Sequence, residues 1–555
     1  YLLNFGLGKN TNIEELKVNW PGGREQTLAN IPANQLLTLL QSEAQLPNPS
    51  IPQSPNLLIH QFTNLPIHHQ ENPFTDFNVE PLMPHQLSTE GPKLAVGDVN
   101  GDGLDDFYLC GAKARAGQLA VAVNDSQWEV KDQVAFGEDF LCEDVDATFL
   151  DADNDGDLDL FVVSGGGEYR DGAKQLQDRL YLNDGQGNFT KTTQPWPATN
   201  GACVVAADFN ADGATDLFIG SRSVVGSYGL TPRSFIFLND GKANFRDATA
   251  EICPAIAEAG MVTSAVWLPD ERRLVVAGEW MPLTIWDFGF AISAGSTRNP
   301  KSEIRNLKSE IANSQGWWHA LAAADVDGDG DLDLFAGNLG LNSVFTATPE
   351  TPVELFVKDF DENGATEPIL AYYRQGKRYP FISKDDLTGQ MTDWRRFFVA
   401  YSKYANSTFE QIFDEKTLAG SVHKQAVTLA SLYFENQGNG KFKPSPLPIE
   451  AQTAPVYAFL PGDFNGDGHP DVLAVGNFYG NQPAIGKLDA SNGWLLKGDG
   501  KGHFETLSPQ EHSFYVPGEG RDIKWVKSTG NKKRIMVARN NETVLLWDKV
   551  IPVKR

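Results

Sequence analysis

A nine-residue acidic pattern occurs six times in this 555-residue chain, and each copy runs straight into an apolar stretch. The copies read DVNGDGLDD from Asp98, DADNDGDLD from Asp151, DFNADGATD from Asp208, DVDGDGDLD from Asp325, DFDENGATE from Asp359 and DFNGDGHPD from Asp463. The apolar stretches, such as FYLCG, LFVVSG, LFIGS and VLAVGN, have strand composition. Recurrence at constant internal spacing means that one structural unit is repeated. A chain written this way folds by arraying copies of a small sheet rather than around a single core.

Each copy sets side-chain oxygens at positions 1, 3, 5 and 9, a main-chain carbonyl at 7 and glycine at 6, where the chain must turn tightly. Calcium takes six to eight oxygens on a flexible loop of this kind, whereas magnesium demands a near-ideal octahedron and keeps several waters. The expected ligands are Asp98, Asn100, Asp102, the Leu104 carbonyl and Asp106; Asp151, Asp153, Asp155, Asp157 (carbonyl) and Asp159; and Asp208, Asn210, Asp212, Ala214 (carbonyl) and Asp216. The later copies supply Asp325, Asp327, Asp329, Asp331 (carbonyl) and Asp333; Asp359, Asp361, Asn363, Ala365 (carbonyl) and Glu367; and Asp463, Asn465, Asp467, His469 (carbonyl) and Asp471. The expected cofactor is therefore Ca2+, about five or six ions. An EF-hand would place a bidentate Glu at position 12 and continue as a helix. Position 12 here is Leu109, Val162, Ile219, Ala336, Leu370 or Ala474, on strand-like sequence. A single loop of Asp, Asn and Gly would read as a turn; six at one spacing do not.

A second tag recurs as YLNDGQGNF from Tyr181, FLNDGKANF from Phe237, YFENQGNGKF from Tyr433 and LLKGDGKGHF from Leu495, each reading as strand, turn, strand. Two segments keep the strand pattern without the acidic loop: AVWLPDERRLVVAGEW from Ala265 and IKWVKSTGNKKRIMVAR from Ile523. Unit starts near 98, 151, 208, 265, 325, 463 and 523 are spaced by 53, 57, 57, 60, 138 and 60 residues. The fold class expected is all-β, a β-propeller of seven blades over 57–555, with Leu57 to Asn64 as the strand that closes the ring. The long gap contains the Asp359 loop and an insertion, 384–418, with helix-compatible spacing. Another insertion, 293–315, carries KSEIRNL followed by KSEIANS and reads as a surface loop or short amphipathic helix.

Net charge, −26, argues against nucleic acid or an anionic membrane as partner. Six divalent ions would bring that charge to about −14. No apolar run approaches the roughly 18 residues of a membrane span. Cys110, Cys142, Cys203 and Cys253 show no CxxC spacing; one or two disulfides and four buried thiols are both open.

These repeats resemble the FG-GAP or VCBS repeats of integrin α-type propellers. FGLGKNTNIEELKVNWPGGREQTLANIPANQLLTL, from Phe5, resembles the later part of an ASPIC/UnbV module, and HQENPFTDF, LSTEGPKLAVGDVNGDG, VAGEWMPL, AGNLGLNS and VKDFDENG resemble bacterial relatives of cartilage acidic protein. The resemblance implies a small β module at 1–41, a Pro-rich linker at 42–56, the propeller at 57–555 and a further propeller upstream of Tyr1. It also implies the calcium ligands already named, an extracellular or cell-surface location, and adhesion to a protein or glycan ligand at the propeller face. Glu367 departs from the pattern, standing where the other loops have Asp, and lengthens that ligand.

A non-enzymatic role is expected. HHQEN at His68 to Asn72 lacks the HExxH spacing, Trp317 and Trp318 read as packing rather than a sugar platform, and neither GxSxG nor a phosphate loop is present. The alternatives are a surface component of a glycan or nutrient-capture system and a propeller-fold polysaccharide lyase or hydrolase.

Overall fold

The computed structural model describes residues 11–19, 25–32, 39, 59–289, 307–438, 440–508, 511–512 and 514–549. Chain contacts divide it into Tyr1–Leu57 and Leu58–Arg555. In the first unit Asn12–Asn19 and Glu25–Pro32 pair as an antiparallel hairpin. The stretch read as a linker, 42–56, lies outside the described residues.

The second unit is all-β in its framework. Among the described residues, seven sheets are built from antiparallel strands that pair in chain order, save for the outermost strand of the seventh. Their first strands are Leu94–Gly97, Asp144–Leu150, Asn200–Ala207, Met261–Leu268, Ala320–Ala324, Val456–Gly462 and Glu519–Lys527. Each first strand packs against that of the next sheet, and the seventh against the first. All seven line one axial cavity of about 470 Å³. Ile59–His68 pairs with Thr543–Lys549 as the outer strand of the seventh sheet, so the two ends of this unit are stitched together.

Side-chain burial follows from that stacking. The second strands Asp106–Leu109, Asp159–Ser164, Asp216–Ser223, Asp333–Gly337 and Asp471–Gly476 are buried at every position, because each lies in a sheet covered on both faces by neighbours. They therefore read as unbroken apolar runs rather than alternating ones. Each of the seven sheet-to-sheet contacts has its own apolar cluster: Phe136 and Leu160 meet Tyr108 and Leu119 between the first two sheets, and Val526 and Met536 meet Phe107 and Trp128 across the closure. Among the described residues the ring's core is thus divided into seven layers, with two further clusters formed where the inserted sheet packs on the ring and under its helices.

Between the second and third strands of the fifth sheet, Asp333–Gly337 and Leu432–Asn436, the chain inserts a further four-stranded sheet, ordered Lys377–Pro380, Glu367–Arg374, Val353–Lys358, Val422–Ala426. This accounts for the 138-residue spacing. The Asp359 loop belongs to this inserted sheet. Helices at Lys384–Gln390, Tyr401–Ala405, Phe409–Ile412 and Glu415–Leu418 cover it, with Leu387, Phe409 and Phe413 packed on Phe356 and Ile369.

One expectation is corrected. Part of the 293–315 insertion, including most of the first KSEI copy, lies outside the described residues, but Leu307–Glu310 is neither loop nor helix. It pairs with Thr284–Asp287 as the outer strand of the fourth sheet. A strand with one face in solvent accepts Lys308 and Glu310, two residues apart and therefore on one face, as an ion pair of 2.8 Å.

Polar side chains stitch the first strands around the axis. Asp146 accepts from the Val204 amide at 2.9 Å, Ser264 Oγ from the Leu321 amide at 3.0 Å, and Asp522 from the Leu94 amide at 3.0 Å. Asp146, Ser264 and Asp522 each sit at a register shift in their own strand, where the extra residue re-aims the side chain toward the next sheet. Asp522 also accepts from the Ile523 amide at 2.9 Å. Asp522→Ala strips two buried amides of their acceptor and is expected to cost about 2–4 kcal/mol. Urea unfolding monitored by tryptophan fluorescence measures this; an unchanged midpoint would show that ring closure does not depend on the latch.

Candidate metal-binding loops

Five acidic loops join the first and second strands of ring sheets, and the sixth joins the first two strands of the inserted sheet. All six repeat one hydrogen-bond scheme. The carboxylate at position 1 accepts from the glycine amide at position 6: Gly103 to Asp98 at 2.8 Å, Gly156 to Asp151 at 3.2 Å, Gly213 to Asp208 at 3.0 Å, Gly330 to Asp325 at 3.2 Å, Gly364 to Asp359 at 2.8 Å and Gly468 to Asp463 at 3.1 Å. The residue at position 5 accepts from the amide of position 7, as from Leu104 to Asp102 at 2.9 Å, forming an Asx turn.

Two left-handed residues bend each loop. Position 6 is always glycine, with φ between 88° and 95°. Position 4 is also left-handed, as Gly101, Asn154, Ala211, Gly328, Glu362 and Gly466 with φ from 57° to 79°. Ala211 and Glu362 hold that conformation against the Cβ penalty. The need at position 4 was not visible in the sequence, because that position is glycine in only half of the copies.

Position 9 has two duties. Asp106, Asp159, Asp216, Asp333, Glu367 and Asp471 are at most 1% exposed. One oxygen of each accepts from the amide at position 2, such as Ala152 to Asp159 at 2.9 Å. In the five ring loops the other accepts from the third strand, from the amides of Ala122, Asn183, Asn239, Asn436 and Gly498. Glu367 belongs to the inserted sheet, and its second oxygen faces Gln390 of the covering helix at 3.4 Å instead. The longer arm thus meets a different partner without leaving the loop.

The loops fall into two kinds. Where position 3 is Asp, three carboxylate oxygens converge to within 4.8 Å of one another: Asp151, Asp153 and Asp159; Asp325, Asp327 and Asp329; Asp359, Asp361 and Glu367. Asp151 Oδ1, Asp157 Oδ1 and Asp361 Oδ1 are buried with no hydrogen-bond partner. Orphaned, mutually repelling oxygens around a shared point fit a hard divalent cation. Where position 3 is Asn, its amide donates to the position 5 carboxylate, as Asn100 to Asp102 at 3.0 Å, Asn210 to Asp212 at 2.7 Å and Asn465 to Asp467 at 2.9 Å. At positions 1, 3, 5 and 9 those loops, like the Asp359 loop with its Asn363, carry three carboxylates against four in the Asp151 and Asp325 loops.

Burial, partly offset by the position 2 and third-strand amides, raises the position 9 carboxyls, to about 7 for Asp159 and Asp216 and about 6 for Asp106 and Asp471. Asp157, raised to about 6 by desolvation and then by Asp155 and Asp153, shows the same crowding. A cation would take over the role that protons play in its absence.

The LND tag also has a structural purpose that composition did not reveal. The Asn183 side-chain amide donates to the Val99 carbonyl of the preceding sheet's loop at 2.8 Å, and Asn239 does the same to Ala152 at 2.8 Å. Each tag thus ties its sheet to the acidic loop of the neighbour.

The remaining candidate residues are packing groups. Trp317 and Trp318 are buried at 2% and 0% and lie in apolar clusters, so they form no sugar platform. His69 is buried and His68 exposed, as adjacent strand residues must be; burial lowers the His69 imidazole to about 3 and keeps it neutral. All four cysteines are free, buried thiols. Among the described residues no helix is long and apolar enough to cross a membrane.

Family comparison matches the same features. The FG-GAP-like repeat model covers 98–162, 151–219 and 430–474, the FG-GAP repeat model 456–496, and the ASPIC and UnbV model 1–46. The chain is an FG-GAP repeat protein with an ASPIC/UnbV segment. No curated protein matches this FG-GAP chain. Solved structures similar to it include an Agrocybe aegerita lectin with specific recognition of non-reducing terminal N-acetylglucosamine, 13% identical over 77% of this chain and 82% of that one, TM-score 0.38. Another is BBS1N in complex with ARL6DN, 10% identical over 89% and 98%, TM-score 0.40. A third is the V. cholerae biofilm matrix protein Bap1, 11% identical over 88% and 92%, TM-score 0.31.

Proposed function

We propose that this FG-GAP repeat protein is an extracellular or cell-surface β-propeller that binds about five or six calcium ions and serves as a binding or adhesion module for a protein or glycan ligand. The observation that carries the reading is the convergence of carboxylate oxygens in three loops of the one repeated geometry, with Asp151 Oδ1 and Asp361 Oδ1 among them left without a hydrogen-bond partner. Calcium here is structural: a filled loop relieves repulsion among three or four carboxylates and steadies the turn to which the next sheet's Asn is bonded. Loops of this type with affinities of about 10⁻⁴ to 10⁻³ M would fill outside cells and not in cytosol. No catalytic role belongs to this proposal.

Thermal unfolding in calcium, in magnesium and in chelator tests it, together with a count of bound metal. The expected result is a calcium-specific rise in Tm of about 10 °C or more, with five or six ions per chain. An unshifted Tm and no bound metal would reduce the loops to turns. The calcium increment is also expected to depend on pH. Without a cation the folded position 9 acids keep protons up to about pH 6–7, while the unfolded chain releases them near 3.8, so chelated protein loses stability as pH rises through that window. Calcium replaces those protons. Its stabilising effect should therefore be larger at pH 7.5 than at pH 5, and equal increments would contradict the assignment of position 9 as a ligand.

A further inference from the structure

The motif HHQEN contributes to a second acidic cluster at the end of the sheets opposite the repeated loops. The loops come after the first strands; Glu143 immediately precedes the first strand of the second sheet, Glu168 lies beyond its second strand, and Glu71 beyond the closing strand. These three carboxylates come from separate elements and interact with one another, Glu71 chiefly with Glu168, and Glu143 with both.

Their hydrogen bonding is incomplete. Glu143 accepts from the Lys113 amide at 2.5 Å, and Glu168 Oε1 accepts from the Asn72 side chain at 2.6 Å. Both oxygens of Glu71 and Oε2 of Glu168 are buried without a partner. Glu71 is held in this position by its own amide, which donates to Asn541 Oδ1 at 2.9 Å. The nearby cations are engaged elsewhere: Arg521 pairs with Glu519 at 2.7 Å, and the Lys113 ammonium lies over the Tyr169 ring at 4.3 Å. Burying such charges without compensation is far costlier than burying neutral polar groups.

The backbone makes room for these side chains. A Cβ on Gly166 would collide with Glu168 Oε2 and lie 3.2 Å from Glu143 Cγ, and one on Gly167 would collide with Asp76 Oδ1. Gly166 and Gly167 are therefore a floor on which carboxylates crowd. Burial, and after it mutual repulsion, raises Glu71 and Glu143 well above the usual carboxylate range.

We propose that Glu71, Glu143 and Glu168 form a further metal-cation site of the calcium class, separate from the six repeated loops. Its oxygens lie further apart than those of the three convergent loop groups, so the ion would draw them inward or be completed by water. The orphaned oxygens have no hydrogen-bonding partner of their own, and an oxygen-only donor set selects a hard ion.

The test is a count of bound calcium in the full chain after equilibrium dialysis, for wild type, the double variant Glu71→Gln and Glu168→Gln, and Asp327→Ala. The double variant is expected to bind one ion fewer, and its Tm in chelator should equal or exceed that of wild type because repulsion is gone. Asp327→Ala reports on the repeated loops alone, so a failure of the loop reading leaves this site separately measured. Glu168→Gln by itself, which keeps the Asn72 contact at Oε1, provides the count should the double variant not fold. An unchanged ion count in either variant overturns the proposal, as does wild type that binds no metal.

Discussion

Asp333→Ala is expected to destabilise the fifth sheet by about 3–5 kcal/mol in chelator, and by more in calcium because the bound ion is lost as well. Asp333 is 1% exposed and accepts from the Val326 amide at 3.1 Å, the Asn436 amide at 2.7 Å and the Tyr433 hydroxyl at 2.8 Å. Removing it orphans three buried donors at once and unties the loop from the third strand. Asp327→Ala, on an exposed position of the same loop, should leave stability in chelator unchanged while removing one bound ion. Denaturant titration of both variants with and without calcium separates the two effects. Equal behaviour of Asp333→Ala and Asp327→Ala would mean that position 9 acts only through the metal.

Glu279→Ala should cost about 3–5 kcal/mol for a different reason. Glu279 is fully buried near the axis and accepts from Arg222 at 2.8 Å, Tyr228 at 2.6 Å and His85 at 3.0 Å. Arg222 also pairs with Glu90 at 2.9 Å. These partners bind the segment that crosses from the closing strand to the first sheet onto the third and fourth sheets. Burial opposes ionisation of Glu279, but the charges of His85 and Arg222 and the hydrogen bonds outweigh it, so its carboxyl is held far below the usual range. A depressed folded pKa gives stability that is complete above the unfolded value of 4.5 and is lost as pH falls toward the folded one. Glu279→Gln keeps the shape without the charge, so its unfolding midpoint should lose this component of acid sensitivity as pH falls below about 4.5. An acid profile identical to wild type would place the sensitivity in other carboxylates.

Strand identity and the acidic loops were legible because both depend on local chemistry. An Asp-rich turn with glycine at position 6 is specified by the φ it must adopt, and the run after it is apolar because its sheet is covered on both faces. The closing strand was legible too, since Phe62 to Asn64 pairs with Leu545 to Trp547 in the stretch where it was expected. Less legible was Leu307–Glu310: its charged residues fit an exposed helix and an outer strand equally well, and only a free edge on the fourth sheet decides between them.

The repeat, the turn chemistry of each loop and the all-β class could be read from the chain alone, because each is set by residues adjacent in it. Which oxygens have partners was decided by packing. Whether Asp151 Oδ1 is orphaned, whether Asp333 is a ligand or a girder, and whether Glu71 faces Glu168 depend on elements that sequence separates by tens of residues or more, and that only packing within and between the sheets brings together.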